Sequence, residues 1–381
     1  MQSLFCHLLA ASTLALVPRV VARAQDPPEL RLVRDLRIDA AQQDLSPIGF
    51  LAVAPNGTIA ITQQQDRLVR FLDSSGTPLG TFGRRGQGPG EFQHVGRLTW
   101  IGDTLVVSDR QQYRFTLISP DRKLVRSVLW LTHLTVPLPT ELDAPSAKVV
   151  IPELLLGDRS QVVIASMGRL SMAPNVPSRP EEPSPVMRVD SAGVFRHLIT
   201  RVPASDDCSV QVAQPGVAYV VMSIPFCFIP LEDVAADGSR FSLAYVEKGK
   251  NSYRVEVTRS SGEAVFTRSY SYQPVAVPAA VRDSVKAAAR APASRSAAEK
   301  IPDFFPPLTV ILGGRDETTW IEMFSIAGDR TWQMLDDRGN PIGQLKVPRN
   351  VRIKVASRST IWATETDDDG LQHVVRFRVA R

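Results

Sequence analysis

The sequence of 381 residues predicts an all-β protein that is built from many short strands. Its 23 Gly and 29 Pro are spread through an apolar-rich chain, which favours many turns and disfavours a helical bundle. A strand, a tight polar turn and another strand recur along the chain. After the N-terminus, no apolar stretch is long enough for a transmembrane helix, so a membrane-spanning protein is not expected.

Two alternating series of turns define the repeated unit. Pairs such as Asn56-Gly57 and Asp237-Gly238 indicate hairpins because these residues tolerate positive φ. Two hairpins for each unit give four strands, which is the composition of a β-propeller blade. The inner turns lie at 55–57, 102–103, 157–158, 237–238, 315–317 and 357–359, and the outer turns at 73–76, 119–122, 190–193, 259–262 and 336–339.

The last unit lacks its outermost strand, and the N-terminus can supply it. Leu30, Leu32, Leu36 and Ile38 alternate with Arg31, Val33, Asp35 and Arg37, which is the period of a half-buried strand. We therefore predict a six-bladed β-propeller of four-stranded antiparallel blades, closed by residues 28–39 pairing with the last blade. A pair of β-sandwiches is the alternative. The blades are expected at about 42–58, 95–130, 150–200, 226–272, 305–347 and 350–381.

An export signal is predicted at the N-terminus. Residues 4–17 form an apolar run that is too short to span a bilayer, and Ala22 and Ala24 supply a small-x-small cleavage pattern. A signal peptide over 1–24 would leave one domain, 25–381, in the periplasm or outside a bacterial cell. A buried N-terminal helix is the alternative interpretation.

Removing that signal leaves two cysteines, Cys208 and Cys227. An even number of cysteines in an exported chain favours a disulfide, with two buried thiols as the alternative. Charge excludes one class of partner. The net charge of +5 is dispersed, whereas nucleic-acid binding requires a basic stripe, so no nucleic acid is expected. A monomer is expected.

Two stretches of the sequence resemble a known family. Residues 82–92, FGRRGQGPGEF, resemble the linker between blades of NHL-type six-bladed propellers, and Asp109 with Arg114 resembles the D-x-x-x-x-R signature of that repeat. Residues 302–307 and 361–379 resemble exported bacterial six-bladed propellers. The resemblance implies the fold, but members of the family share no single activity.

Long connections are expected on one face of the ring, around the mouth of its channel, where propellers usually bind ligands. One of them, 273–304, contains a predicted short helix at 278–290, which could cover the channel mouth or pack on neighbouring blades. The proline-rich stretch 168–185 is expected to be extended. The long connections are 83–94, 131–149, 168–185, 200–225 and 273–304.

The sequence contains no standard catalytic motif, so no catalytic residue and no cofactor are expected. We expect a binding module that recognises a peptide, glycan or protein at the loop-rich face. The alternative is a metal-dependent hydrolase or lyase, because lactonase-like propellers hold a metal through carboxylates in the channel. Candidate metal ligands near the ends of second strands are Asp109, Glu247, Glu322 and Glu365.

Some candidate site residues have structural alternatives. Asp109 could instead hold a loop together with Arg114. A joint metal site of His94 and His133 is conceivable, although exposed loop histidines are the default. The run 367–370, DDDG, suits a tight turn better than a calcium loop, because Asp bonds its own backbone.

Overall fold

The computed structural model describes residues 27–45, 47–131, 149–166, 183–204, 208–214, 217–235 and 237–381. Over these residues the chain forms 26 strands and two short helices, which confirms the all-β prediction. The predicted signal peptide, His133 and most of the proline-rich stretch lie outside the described residues.

The first two sheets are four-stranded antiparallel meanders. The expected end of the first blade at about 58 is wrong, because its outer strands continue to Phe82. The prediction missed a turn in which a non-glycine residue, Arg67, adopts a φ of 57°. After β1 (Glu29–Ile38), the first sheet contains β2 (Ile48–Val53), β3 (Ile59–Gln63), β4 (Leu68–Leu72) and β5 (Pro78–Phe82), and the second contains β6 (Leu98–Ile101), β7 (Thr104–Asp109), β8 (Arg114–Ile118) and β9 (Leu124–Leu129).

The third and fourth sheets are separated by an additional hairpin. It lies inside the connection 200–225, which was predicted as a loop. The third sheet contains β10 (Val149–Leu155), β11 (Gln161–Ser166), β12 (Ser184–Val189) and β13 (Phe195–Val202); the hairpin contains β14 (Ser209–Gln214) and β15 (Val217–Ser223); the fourth sheet contains β16 (Leu231–Val234), β17 (Arg240–Val246), β18 (Ser252–Arg259) and β19 (Ala264–Ser271).

Two helices follow the fourth sheet. Helix α1 (Ala279–Ala288) is the predicted one, and α2 (Pro292–Glu299) was not predicted, because its buried face consists only of alanines. Ala297 of α2 packs on the β14–β15 hairpin, against Val210 and Ile224. Val281 and Val285 of the predicted helix, α1, pack beside the buried Val277, Ile301 and Phe305, and the choice between the two alternatives for this helix stays a prediction.

The last seven strands and β1 form one continuous eight-stranded sheet in place of two separate blades. β1 pairs antiparallel with β26, as predicted for the closing strand. It also pairs parallel with β23 through Glu29 and Leu30, and this second contact joins the two halves. The sheet contains β20 (Leu308–Gly313), β21 (Thr319–Met323), β22 (Arg330–Leu335), β23 (Pro341–Val347), β24 (Val351–Ala356), β25 (Thr360–Thr366) and β26 (Gln372–Ala380).

The sheets form a propeller-like ring. All six predicted inner turns connect the first and second strands of a hairpin. Apolar clusters then join each sheet to the next, and the circuit closes where Val355 and Trp362 of the last sheet pack against Ile48 and Ile59 of the first. Because every sheet buries both faces against neighbours, the core is distributed around the ring.

Candidate functional site

The connections around the fourth sheet converge on a groove of about 340 Å³. The predicted insertions 200–225 and 273–304 contribute Pro203 and Phe304 to its walls. Two of the five predicted long connections therefore meet at this groove, and the gathering of all five at the channel mouth stays a prediction. We call it the aromatic groove, after Phe226, Phe228, Tyr245, Tyr272, Phe304 and Phe305.

The wall of the aromatic groove is fixed by ring contacts. The ring of Phe305 stacks on Phe324 with centroids 4.5 Å apart and meets the edge of Phe226 at 5.0 Å. The hydroxyl of Tyr245 donates a 2.5 Å hydrogen bond to Glu256. Burial and this contact raise the pKa of Tyr245 to about 12, so its hydroxyl stays neutral at ordinary pH. These side chains present a preformed surface to a ligand.

One residue of the aromatic groove has an uncommon backbone conformation. Phe226 has a φ of 61°, a left-handed conformation that bulky residues rarely adopt. Its neighbour Cys227 forms a disulfide with Cys208, whose Cα lies 5.3 Å away, so the predicted disulfide is confirmed. An uncommon conformation that is held by a crosslink is characteristic of functional sites.

A second cavity, of about 420 Å³, lies inside the ring. Its walls come from the strands β2, β6, β16, β20 and β24, each of which is the first strand of a hairpin and therefore faces the axis of the ring. We call it the channel cavity. Most of its walls are apolar, and its charged side chains are Arg97, Asp233 and Lys354.

An ion pair crosses the channel cavity. Arg97 Nη1 lies 3.0 Å from Asp233 Oδ1, and the backbone N–H of Gly313 donates to Asp233 Oδ2 at 2.9 Å. The second, fourth and last sheets are therefore linked through one carboxylate. Burial raises the pKa of Asp233 despite the positive charge of Arg97.

Two further carboxylates lie beside this pair. Glu153 of β10 is mostly buried, lies 3.7 Å from Arg110, and has a pKa that burial raises. Glu232 is exposed at its tip, but the surrounding protein and the charge of Glu153 raise its pKa to about 7. Within the described part of the chain, no group donates a hydrogen bond to the Glu232 carboxylate. Glu232 can therefore bind or release a proton near neutral pH.

Asp109 holds a loop in the structure. Its buried carboxylate accepts hydrogen bonds from the backbone N–H groups of Gln93 at 2.8 Å and His94 at 3.2 Å. Arg114 donates to carbonyl oxygens of the same linker, including that of Glu91. These contacts agree with the structural alternative stated for Asp109 and Arg114.

The other three candidate carboxylates have separate partners. Glu247 pairs with Arg254 at 2.8 Å, and Glu365 with Arg34 at 2.8 Å. Glu322 accepts a 2.7 Å hydrogen bond from the hydroxyl of a threonine on the neighbouring strand. Among the described residues, no three His, Cys, Asp or Glu side chains are grouped so as to hold a metal ion. A metal site at these positions stays a prediction.

The run 367–370 forms a tight turn. Asp367 Oδ1 accepts from the backbone N–H groups of Asp369 at 3.1 Å and Leu371 at 2.8 Å. Its second oxygen lies 2.8 Å from Nε2 of the buried His373. The turn interpretation of this run is therefore confirmed.

The sequence reasoning searched the ends of second strands and missed both the ion pair of the channel cavity and Glu232 beside it. Glu232 and Asp233 lie on a short first strand, and Arg97 directly precedes another. One signal was available. Two adjacent acidic residues inside a predicted apolar inner strand need a buried partner, and the Leu-Glu-Asp-Val run has this pattern.

No family model and no curated protein matches the chain. Solved structures with a similar overall arrangement include an exported protein from Bacteroides fragilis, with 10% identity, coverage of 92% of this chain and 94% of that chain, and a TM-score of 0.47. A member of the DUF4221 family from Bacteroides vulgatus has 11% identity, coverage of 93% and 100%, and a TM-score of 0.48. Virginiamycin B lyase from Staphylococcus aureus has 12% identity, coverage of 92% and 99%, and a TM-score of 0.41. No activity is assigned to this chain from these likenesses.

Of the described helices, none is long and apolar enough to cross a membrane.

Proposed function

We propose that this chain is an exported six-bladed β-propeller that binds an extended peptide segment of a partner protein in the aromatic groove, without catalysis. Six blades are supported by the apolar cluster that separates the halves of the last sheet, with Trp320 and Trp332 on one half and Ile353 and Ile361 on the other. The bridge through β1 would then join two blades at their edges. Export is supported by the disulfide, since such bonds persist in oxidising compartments.

The observation that carries the binding proposal is the aromatic groove itself. Aromatic and proline side chains present large, rigid, apolar surfaces, and aromatic-lined grooves bind extended peptides that contain proline. Phe304 is 51% exposed although it is a large apolar residue, as expected for a contact that a ligand covers. The disulfide and the ring contact between Phe226 and Phe305 hold the lining of the groove before a ligand arrives, so little ordering entropy would be lost on binding.

The test is a binding screen with immobilised octapeptides that contain proline and aromatic residues, together with a panel of neutral oligosaccharides. We expect retention of a subset of the peptides, and a reduction of affinity by at least about tenfold in Phe304→Ser, because an anchor residue would be lost. The matched control is Ile326→Ser, since Ile326 is 53% exposed and lies outside the groove.

Three results would count against peptide binding at this groove. They are the absence of any retained peptide, equal retention by Phe304→Ser, and retention of oligosaccharides only. The last result would transfer the proposal to a glycan ligand.

A second candidate function, a hydrolase or lyase, is favoured by one observation. Glu232 has a pKa of about 7, which suits a general acid or base near neutral pH. Hydrolysis of a panel of lactones that is lost in Glu232→Gln would support this candidate. Activity that is unchanged in Glu232→Gln would exclude Glu232 from it.

A further inference from the structure

Lys354 brings an amine into the channel cavity. It lies on β24, and its Nζ donates a 3.0 Å hydrogen bond to the carbonyl oxygen of Gly49. The carboxylate that lines the same cavity, Asp233, is already bonded to Arg97. Across the described ranges, no carboxylate lies within ion-pair distance of Lys354 Nζ. The partner of its ammonium group among the described residues is the carbonyl oxygen of Gly49, which carries no net charge.

Other lysines of the chain are placed differently. The side chains of Lys123, Lys250 and Lys286 are 80%, 67% and 44% exposed, and each has a carboxylate within 4 Å. Water and an anion both stabilise the ammonium form of these side chains. Lys354 has neither the same access to water nor an anion.

The neutral amine is therefore more accessible at Lys354. Burial, and to a smaller extent the positive charge of Arg352 on the same strand, lower the pKa of Lys354. A lysine amine reacts with carbonyl compounds only in its neutral form, and desolvation is a recognised way to activate it.

The cavity has room for a small molecule. Its volume of about 420 Å³ lies within the range of about 300–1,000 Å³ that is usual for small-molecule sites. Leu51, Leu312 and Ile353 form apolar walls around the position of Lys354. Apolar walls limit the water that would hydrolyse an adduct.

We propose that Lys354 captures a small aldehyde or ketone in the channel cavity as an imine. The Lys354 ammonium first releases one proton to solvent. The lone pair of Nζ then forms a bond with the carbonyl carbon, and the two remaining protons on nitrogen leave with the carbonyl oxygen as water. This capture goes beyond the proposed peptide binding, because it uses a different cavity and different residues.

The experiment compares lysines within the wild-type chain. The protein is incubated at pH 7 with benzaldehyde and sodium cyanoborohydride, which reduces imines to stable amines, and labelled positions are quantified by peptide mass spectrometry. We expect Lys354 to be labelled at least about tenfold faster than Lys123, because the contact with Asp121 raises the pKa of Lys123 and its amine is almost entirely protonated at pH 7. The rate at Lys354 should also reach its plateau at lower pH than the rate at Lys123.

Labelling of Lys354 that is no faster than labelling of Lys123 would overturn the proposal, whether the cause is an ordinary amine or a closed channel. Lys354→Arg is the matched variant, since it retains a positive charge and cannot form the imine. It should lose only the adduct at this position and keep the labelling of Lys123.

Discussion

Replacing Arg97 by methionine removes the cation of the ion pair that crosses the channel cavity and keeps most of the apolar stem. At 3.0 Å and an effective dielectric constant of about 20, two unit charges attract each other by about 5.5 kcal/mol. Desolvation offsets much of this attraction. The side chains of Arg97 and Asp233 are 30% and 17% exposed, so solvent also screens the pair. The substitution is therefore expected to lower the free energy of unfolding by about 2 kcal/mol at pH 8.

The loss should depend on pH in a defined direction. Burial already raises the pKa of Asp233 above its ordinary value of 3.8, and removing Arg97 raises it further. A carboxyl group with a raised pKa in the folded state contributes stability at low pH that is lost as the pH rises through that pKa. The deficit of Arg97→Met should consequently be smaller at pH 5, where Asp233 can be protonated, than at pH 8.

The assay is guanidinium unfolding at pH 5 and pH 8, followed by tryptophan fluorescence and far-ultraviolet circular dichroism. Arg110→Met is the matched control, because Arg110 is 63% exposed and its 3.7 Å contact with Glu153 should contribute less than about 1 kcal/mol. Adding Asp233→Leu to Arg97→Met should recover part of the loss, since the carboxylate that pairs with Arg97 is then removed as well. Equal stability of Arg97→Met and Arg110→Met at pH 8 would refute a stabilising pair in the channel.

Three other changes test separate features. A carbon-13 NMR titration of glutamate carboxyls should show a midpoint near pH 7 that disappears in Glu232→Gln. Because the pKa of Glu232 lies above its ordinary value of 4.5, the contribution of this group to folding stability is full below about pH 4.5. That contribution is lost as the pH rises through about 7. Replacing both Cys208 and Cys227 by serine should lower the free energy of unfolding by about 3 kcal/mol in the chain-entropy model, and an unchanged unfolding midpoint would contradict this. Gly343→Ala should cost about 1–3 kcal/mol, because a Cβ there would come within 2.2 Å of Leu30 on the closing strand; wild-type stability would show that β1 is free to shift.

The local part of the fold could be read from the sequence because turns are decided by near neighbours. Asn56-Gly57 and Asp237-Gly238 identified hairpins, since residues that accept positive φ are few. The turn at Arg67 was missed because a non-glycine residue takes the positive φ there. Helix α2 was missed because alanines give no apolar stripe.

The candidate sites were predicted less well than the fold. The disulfide was anticipated, because cysteine number is visible in the sequence. The carboxylates selected at the ends of second strands have separate partners. The choice failed to find the channel cluster because strand position alone does not tell which side chains point at one another.

By itself, the sequence determined the all-β class, the six inner hairpins and the strand that closes the ring, because period, turn chemistry and breaker placement act over a few residues. Only the tertiary structure decided which charges meet. Arg97 and Gly313 are more than two hundred residues apart in the sequence, yet both bind the carboxylate of Asp233. Lys354 lines the same cavity. Closing the ring brings first strands of the hairpins together around one axis. The resulting desolvation raises the pKa of Asp233 and lowers the pKa of Lys354, and the residues next to them in the sequence do not predict these changes.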